Sequence, residues 1–397
     1  LTATAWQAMA ISTGYIISTM IQGIIVLAQP TYSPGPWKTV LILLAVMLFA
    51  VSMNPTTSRA LARFEDLVLV LHLARFIGVL IPLLYFAPHN DRATVFAAFI
   101  NKGGWSTQAL SFFVGFLTIA TSMIRADFAV HMSEEIQSAA LVLPRVLLAT
   151  IFINGILAFG MVLALMFCLT DLEAALEAAE TIFYPFLRTF QSAVVSTTGA
   201  CIMAGIVLVM AVASSVSVYA SASRMLWSFS RDRGLPFDKY LVKLTNNSLP
   251  VVAILTTLGI TMLLSLIVLG SAVALGALLS LVIGALYSSY LLVCCLLLWR
   301  RTTGSIQPCH GGSDVLDLEI ITWGPWRLPE PLGTVNNIFA ILYSVLLLFW
   351  SFWPQTGPTT LESANWSVLV FGCVVIFSVP WYIIYARRHF RGPVREL

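Results

Sequence analysis

Apolar positions along this chain come in long uninterrupted runs, not in alternation. Runs of 17–26 residues occur at 5–28, 38–54, 66–86, 109–132, 144–169, 197–221, 250–269, 273–298, 334–353 and 366–385. A bilayer core about 30 Å thick needs about 20 apolar residues per helix. The pattern therefore predicts about ten membrane-spanning helices, of which 38–54 is the shortest. The stretches between them reach 35 residues at most, too short for separate domains. None of the runs has the basic leader and single short apolar stretch of a cleavable signal. The reading is an all-α polytopic membrane protein.

Composition narrows the class further. Of 397 residues, 59% are hydrophobic and 10% charged. Soluble domains carry about 45–50% apolar and about 25% charged residues, so water-soluble and disordered classes are excluded. A net charge of +3 cannot make the basic face of a nucleic-acid binder, so no nucleic acid is expected. Cys168, Cys201, Cys294, Cys295 and Cys373 lie in or beside apolar runs and read as small hydrophobes. No metal-ligand spacing occurs, and no metal or cofactor is expected. The chain opens Leu1-Thr2-Ala3 without a methionine, which reads as processing or as a fragment.

Basic residues set the expected orientation. With ten spans, the loops on the side of both termini hold fifteen Lys and Arg, among them Arg59, Arg145, Arg224, Arg231, Lys243 and Arg388. Opposite loops hold four: Lys38, Arg92, Lys102 and Arg188. The positive-inside rule then places both ends in the cytoplasm and the acidic 170–190 loop outside. Arg75 and Arg125 lie inside apolar runs, where a charge costs at least ~2.5–3.5 kcal/mol and must face protein or water. His72 sits one turn before Arg75 on the same helical face, open to packing or to proton transfer.

The fourth run carries the densest chemistry, Thr121-Ser122-Met123-Ile124-Arg125-Ala126-Asp127-Phe128. Residues 125 and 127 would point to different faces of a continuous helix. A helix broken there, with irregular backbone lining a cavity, accommodates both and makes Ser122, Arg125 and Asp127 candidate ligands; a kinked span is the alternative. The sixth run ends in Ser214-Ser215-Val216-Ser217 through Ser221-Ala222-Ser223-Arg224, where small hydroxylated residues serve close packing or a polar path. His131 with Glu134 and Glu135 suggests acid–base chemistry only weakly, because the three stand at a helix end. They and Arg224, Arg231 and Asp232 read as gate or loop charges, and no enzyme is expected.

Several strings occur together: Gly103-Gly104-Trp105-Ser106-Thr107, His131-Met132-Ser133-Glu134-Glu135-Ile136, Pro144-Arg145, and Ala220-Ser221-Ala222-Ser223-Arg224 running through Trp227-Ser228-Phe229-Ser230-Arg231-Asp232 to Gly234-Leu235-Pro236-Phe237. With Trp6-Gln7 and Met20-Ile21-Gln22-Gly23, they resemble the fungal amino acid/choline (GABA-type) permease branch of the amino acid–polyamine–organocation superfamily. The resemblance runs from residue 1 to about 390 and is most specific over 101–240.

The resemblance implies a LeuT-like inverted-repeat helical bundle of twelve helices. Trp6 would lie in the third, so ten of the twelve would be present. Residues 1–88 would be the remainder of the first repeat and 105–300 the second. A cytoplasmic loop at 301–333, two helices at 334–386 and a tail at 387–397 would follow. The run 109–132 would be the helix unwound at the substrate, with Asp127 at a gating position. Arg125 stands where a Gly is usual; pairing with Asp127, selection of anionic substrates and an inactive copy are all open. His72 would occupy the position of a titratable Lys in proton-coupled relatives, and the Arg75 guanidinium works against a second positive charge there. Tyr219 would pack on substrate, and Ser215, Thr13 and Gln7 would face the site. The implied function is import of an amino acid, GABA or choline-like amine by proton symport, at the plasma or vacuolar membrane. The alternative is a non-transporting sensor or an inactive truncated copy.

Overall fold

The computed structural model describes residues 1–397 except 55–57, 246–248, 271, 308–320, 361–363 and 391–397. For 58–62, 121, 125, 126, 134, 135, 272–275, 277, 279, 307, 321 and 322 the backbone alone is described. The side chains of Arg59, Arg125, Glu134 and Glu135, and the tail residues Arg391 and Arg395, thus lie outside the described residues.

Helices dominate the described residues, in the order α1 Thr2–Ala28, α2 Pro36–Met53, α3 Ser58–Phe86, α4 Arg92–Ala97 and α5 Gln108–Thr121. A 3₁₀ segment, Ile124–Glu135, precedes α6 Ala139–Cys168, α7 Leu172–Ile182, α8 Pro185–Val194 and α9 Thr197–Arg231. Then come α10 Asp238–Leu241, α11 Val251–Ser265, α12 Ile267–Gly270, α13 Ala272–Thr302, α14 Leu332–Ser351 and α15 Ser367–Trp381. A π turn at Tyr382–Ala386 leads into α16 Arg387–His389. The sole strand pairing among the described residues is a two-residue parallel bridge, Ile306–Gln307 with Ile321–Thr322.

Nine helical stretches among the described residues are long and apolar enough to cross a bilayer, and α5 is a shorter apolar helix. The difference from ten uniform spans lies in the run 109–132. Its helix stops at Thr121, and the chain continues as 3₁₀ backbone with a non-helical Met132 at φ −110°, ψ 16°. Beyond Ile124 the apolar run gives way to Arg125, Asp127, His131, Ser133, Glu134 and Glu135. Charged side chains are costly against lipid, and irregular backbone at membrane depth is tolerated only where it is buried in protein or lines a water-filled cavity. The acidic 170–190 stretch, read as loop, instead forms α7 and α8. Asp171 caps α7 by accepting from the Ala174 N–H at 2.9 Å, and the run Leu172-Glu173-Ala174-Ala175-Leu176-Glu177 has strong helix propensity.

Two compact units form. The first comprises Leu1–Ala5, Asn101–Phe152 and Gly276–Pro380; the second Trp6–Ile100, Ile153–Leu275 and Trp381–Leu397. In the first, α14 packs on α5, with Phe113 and Trp350 stacked at 5.2 Å. The Gly103-Gly104-Trp105 motif makes a tight turn before α5. Gly104 has φ +70°, and a Cβ there would overlap the Gly357 carbonyl oxygen. The Gly357 N–H donates to Gly103 O at 2.7 Å, and Asn101 brackets Trp105 with two hydrogen bonds. Only glycine meets both demands at 104.

In the second unit α9 is central and packs on α11, α2, α8 and α3. Lipid supplies no hydrophobic drive between spans, so close backbone approach carries the packing. The small residues of α9 serve that end: Ser215, Ala220, Ser221, Ala222 and Ser223 are all fully buried. Ser215 and Ser223 donate to carbonyls of their own helix, Val212 O at 2.6 Å and Ala220 O at 2.9 Å. The sequence left packing and polar path open for this stripe, and the structure uses these two for packing. Where α1 meets the end of α7, a Cβ on Gly23 would overlap the Ile182 carbonyl oxygen.

Candidate functional site

The candidates fall in both units. In the first, the break after α5 carries Asp127. Its Oδ2 accepts the Tyr290 hydroxyl of α13 at 2.5 Å and lies 3.2 Å from His131 Nε2, four residues on. The Tyr290 hydroxyl is the donor in the first contact, and the His131 ring lies within hydrogen-bond distance of the same oxygen. Asp127 Oδ1 is buried and has no hydrogen-bond partner among the described residues. Tyr287 and Tyr343 extend the polar aromatic wall, with Tyr287 5.8 Å from Tyr290 and 6.4 Å from Tyr343 between ring centroids. The result is a carboxylate with one satisfied oxygen and one open oxygen, at a helix end instead of a helix middle.

Ser122, the C-cap of α5, is exposed and donates to Ile119 O at 2.7 Å, which keeps its proton inside its own helix. Arg125 stands in the same break, but its side chain lies outside the described residues, as do those of Glu134 and Glu135. Tyr290, Tyr287 and Tyr343 were not singled out in the sequence. A signal was present in Tyr287-Ser288-Ser289-Tyr290, four polar side chains inside an apolar run.

In the second unit, Gln7, Thr13, Ser215 and Tyr219 are all buried. Gln7 of α1 reaches across to α9 and α11. Its Nε2 donates to Ala222 O at 3.2 Å and Thr257 Oγ1 at 3.3 Å, while Oε1 has no partner among the described residues. Tyr219 is directed at Thr261 of α11 without full hydrogen-bond geometry, and Thr261 itself donates to Thr257 O at 2.9 Å. Gln7, Tyr219, Thr257 and Thr261 thus form one interhelical polar seam. The two threonines of α11 were missed in the sequence because Thr in an apolar run is ordinary helix-packing material.

His72 is half-buried on α3 and joined to Arg75, whose Nη2 lies 3.2 Å from His72 Nδ1. A guanidinium only donates, so Nδ1 accepts and the neutral imidazole carries its proton on Nε2. That nitrogen is buried and has no hydrogen-bond partner among the described residues. At the end of α9, Arg224 is buried with Nη1 3.4 Å from Ala220 O, whereas Arg231 lies 4.9 Å over the Trp227 ring and 3.9 Å from Asp232. Arg224 therefore belongs to the helix interior and Arg231 with Asp232 to the turn beyond it.

Long apolar helices, a helix broken at a carboxylate, and polar side chains turned inward between spans are together the marks of a membrane transport protein. A family model described as amino acid permease matches residues 1–377, and the chain belongs to that family. It is a family of permeases and not of enzymes. Among its relatives, the choline transporter of Saccharomyces cerevisiae is 26% identical over 386 residues, covering 96% of this chain and 64% of that protein. Amino-acid permease 2 of Neurospora crassa is 24% identical over 389 residues, 96% of this chain and 68% of the relative. Amino-acid permease BAT1 of Arabidopsis thaliana is 26% identical over 332 residues, 80% and 60% respectively. The chain thus spans about two thirds of the length of these relatives.

Proposed function

We propose that this protein is a secondary active transporter that imports an amino acid or a related amine, GABA and choline among the candidates, together with protons. The observation that carries the reading is Asp127 Oδ1 at the broken helix, buried with no hydrogen-bond partner among the described residues. A buried carboxylate oxygen without a donor is costly to maintain, and the ammonium of a substrate or a proton relieves that cost. Tyr290 and His131 hold the other oxygen in place, so the acceptor is presented without reorganisation. The names of the choline transporter and amino-acid permease relatives agree with a cationic or zwitterionic substrate.

His72 is proposed as the proton-coupling group. In its present bond with Arg75, Nδ1 is occupied as an acceptor, so proton uptake requires the two side chains to separate. That requirement links protonation of His72 to a rearrangement of the Arg75 side chain on the same helix. Gln7 and Tyr219 are proposed to present the polar seam to substrate, with Thr13 and Ser215 beside them. Arg224, Arg231, Asp232, Glu134 and Glu135 are proposed for the cytoplasmic gate or loop. The charge asymmetry of the loops supports cytoplasmic termini, in the plasma membrane or the vacuolar membrane.

The test is uptake into proteoliposomes under an inwardly directed proton gradient, with radiolabelled amino acids, GABA and choline in turn. One of them accumulates, and His72→Ala abolishes accumulation at unchanged protein incorporation. If His72→Ala keeps the rate and its pH dependence, His72 has no part in coupling. Arg125, at a backbone position where glycine suits irregular structure, favours a second reading, a sensor that binds without transporting. Saturable binding of the same ligands with no accumulation in any gradient selects that reading.

A further inference from the structure

The turn that follows α9 and the end of the last span meet at one place. Trp381 donates its Nε1–H to Gly234 O at 2.9 Å, and Trp227 donates its own to Val242 O at 3.1 Å. These two bonds pin the 232–242 segment, in which Arg233 and Phe237 have positive φ of 59° and 63°. Between the segment and the C-terminal helix lies an open cleft of about 840 Å³. Its basic lining is Arg231, Arg233, Lys239 and Lys243, with the His389 imidazole, against the single carboxylate of Asp238. Among the described residues Arg233, Lys239 and Lys243 form no ion pair, and Asp238 Oδ1 is taken by the Lys239 N–H at 2.7 Å. Arg231 is paired with Asp232, and the remaining three permanent cations stand against the one acid Asp238 on a fixed turn, which leaves a surplus positive charge in the cleft.

The cleft lies at the end of two spans, α9 and the helix Ser367–His389, so it opens at the level of the headgroups. Phe237, Tyr240, Leu244 and Phe390 beside it are exposed, as aromatic and apolar side chains are at a bilayer interface. The volume is that of a small-ligand site, and guanidinium and ammonium groups converging on one space suit phosphate oxygens. We propose that the cleft binds a phosphate-bearing anionic headgroup, that of a lipid in the leaflet it borders. Occupancy would clamp the α9 turn to the last span through one shared anion. This inference stands apart from the transport reading, since it needs only that the chain spans a membrane.

Native mass spectrometry of the full chain in detergent tests it, with phosphatidylinositol 4,5-bisphosphate, phosphatidylcholine and soluble inositol 1,4,5-trisphosphate as separate probes. The phosphoinositide is expected to be retained at least tenfold more strongly than phosphatidylcholine. A juxtamembrane basic residue is worth about fivefold in affinity, so Arg233→Gln with Lys239→Gln and Lys243→Gln together should weaken retention by about 100-fold. Lys38→Gln, outside the cleft, should leave it unchanged and controls for general charge. The pair Lys239→Gln with Lys243→Gln, about 25-fold weaker on the same basis, keeps the test open if the triple variant does not fold. Equal retention of the two lipids, or retention unaffected by the cleft variants, overturns the proposal. Binding of inositol trisphosphate that is lost in the triple variant, with no phosphoinositide retained, overturns the lipid as the source.

Discussion

Replacing Gly23 by alanine probes the closest helix approach in the second unit. Gly23 lies in α1 against the end of α7, where a Cβ would overlap the Ile182 carbonyl oxygen. It would also stand 3.0 Å from Leu187 Cδ1 and 3.3 Å from the Ile182 carbonyl carbon. Leu187 can turn aside, but the carbonyl cannot. It accepts the Tyr184 N–H at 2.8 Å across Phe183, itself at φ +66°. Displacing it opens that turn as well as the helix contact. Overpacking of this kind costs about 1–3 kcal/mol, and the helix preference of alanine over glycine offsets about 1 kcal/mol. With backbone as the obstacle, we expect a net loss of about 1–2 kcal/mol. Gly205 in α9 has nothing within 4 Å of its would-be Cβ, so Gly205→Ala should gain about 0.5–1 kcal/mol. The two variants make the same chemical change with opposite expected sign. Their separation of about 2 kcal/mol corresponds to roughly 30-fold in the unfolding equilibrium. Tryptophan-fluorescence melting of the purified protein in detergent reads this directly. A Gly23→Ala protein that melts at or above the parent temperature would refute the close-approach argument.

Three further outcomes are expected. Tyr290→Phe removes a hydrogen bond to a charged group, worth about 1.5–3 kcal/mol, so a double-mutant cycle with Asp127→Asn should show coupling above about 1 kcal/mol. Coupling near zero would mean the two side chains do not share a bond. Gly104→Ala forces a side chain into the left-handed region against the Gly357 carbonyl and should cut the yield of monodisperse protein, whereas a variant at the exposed Ser106 should not. Glu330 accepts from the Thr334 hydroxyl at 2.7 Å and from Arg301, and the threonine bond first, then the guanidinium, holds its carboxyl below the usual range. Because the folded value is depressed, its stabilisation is present above the unfolded value and is lost as pH falls through the folded one. Glu330→Gln should therefore lower the melting temperature at pH 7 and match the parent at the lowest pH; a difference that persists in acid contradicts the assignment.

Much of the architecture was legible because lipid imposes a local rule. Each span must satisfy its backbone internally, so a run of about 20 apolar residues becomes a helix whatever its neighbours do. The same rule located the break near residue 125, since charges two apart in an apolar run cannot share one regular helix face. The acidic 170–190 stretch was less legible. Its alanines and the Asp171 cap favour helix, but charge count drew the reading toward loop. Among site residues, His72 and Arg75 were paired from their i, i+3 spacing. Asp127 and Tyr290 were not, because their partnership spans 163 positions of chain.

The sequence alone, through apolar run length and charge placement, determines that this is a polytopic helical membrane protein with an interrupted span around Asp127; the permease type came from resemblance to a family. The tertiary structure decides which polar atoms are taken up in packing and which remain open. Ser215 and Ser223 return their protons to their own helix, whereas Asp127 Oδ1 and Gln7 Oε1 have no donors among the described residues. It also decides that Arg231, Arg233, Lys239 and Lys243 converge on one cleft with His389, nearly 150 residues further on. The physical reason is common to these cases. Helix formation in a membrane is governed by each segment's own composition, but whether a polar group has a partner depends on side chains that sequence distance does not reveal.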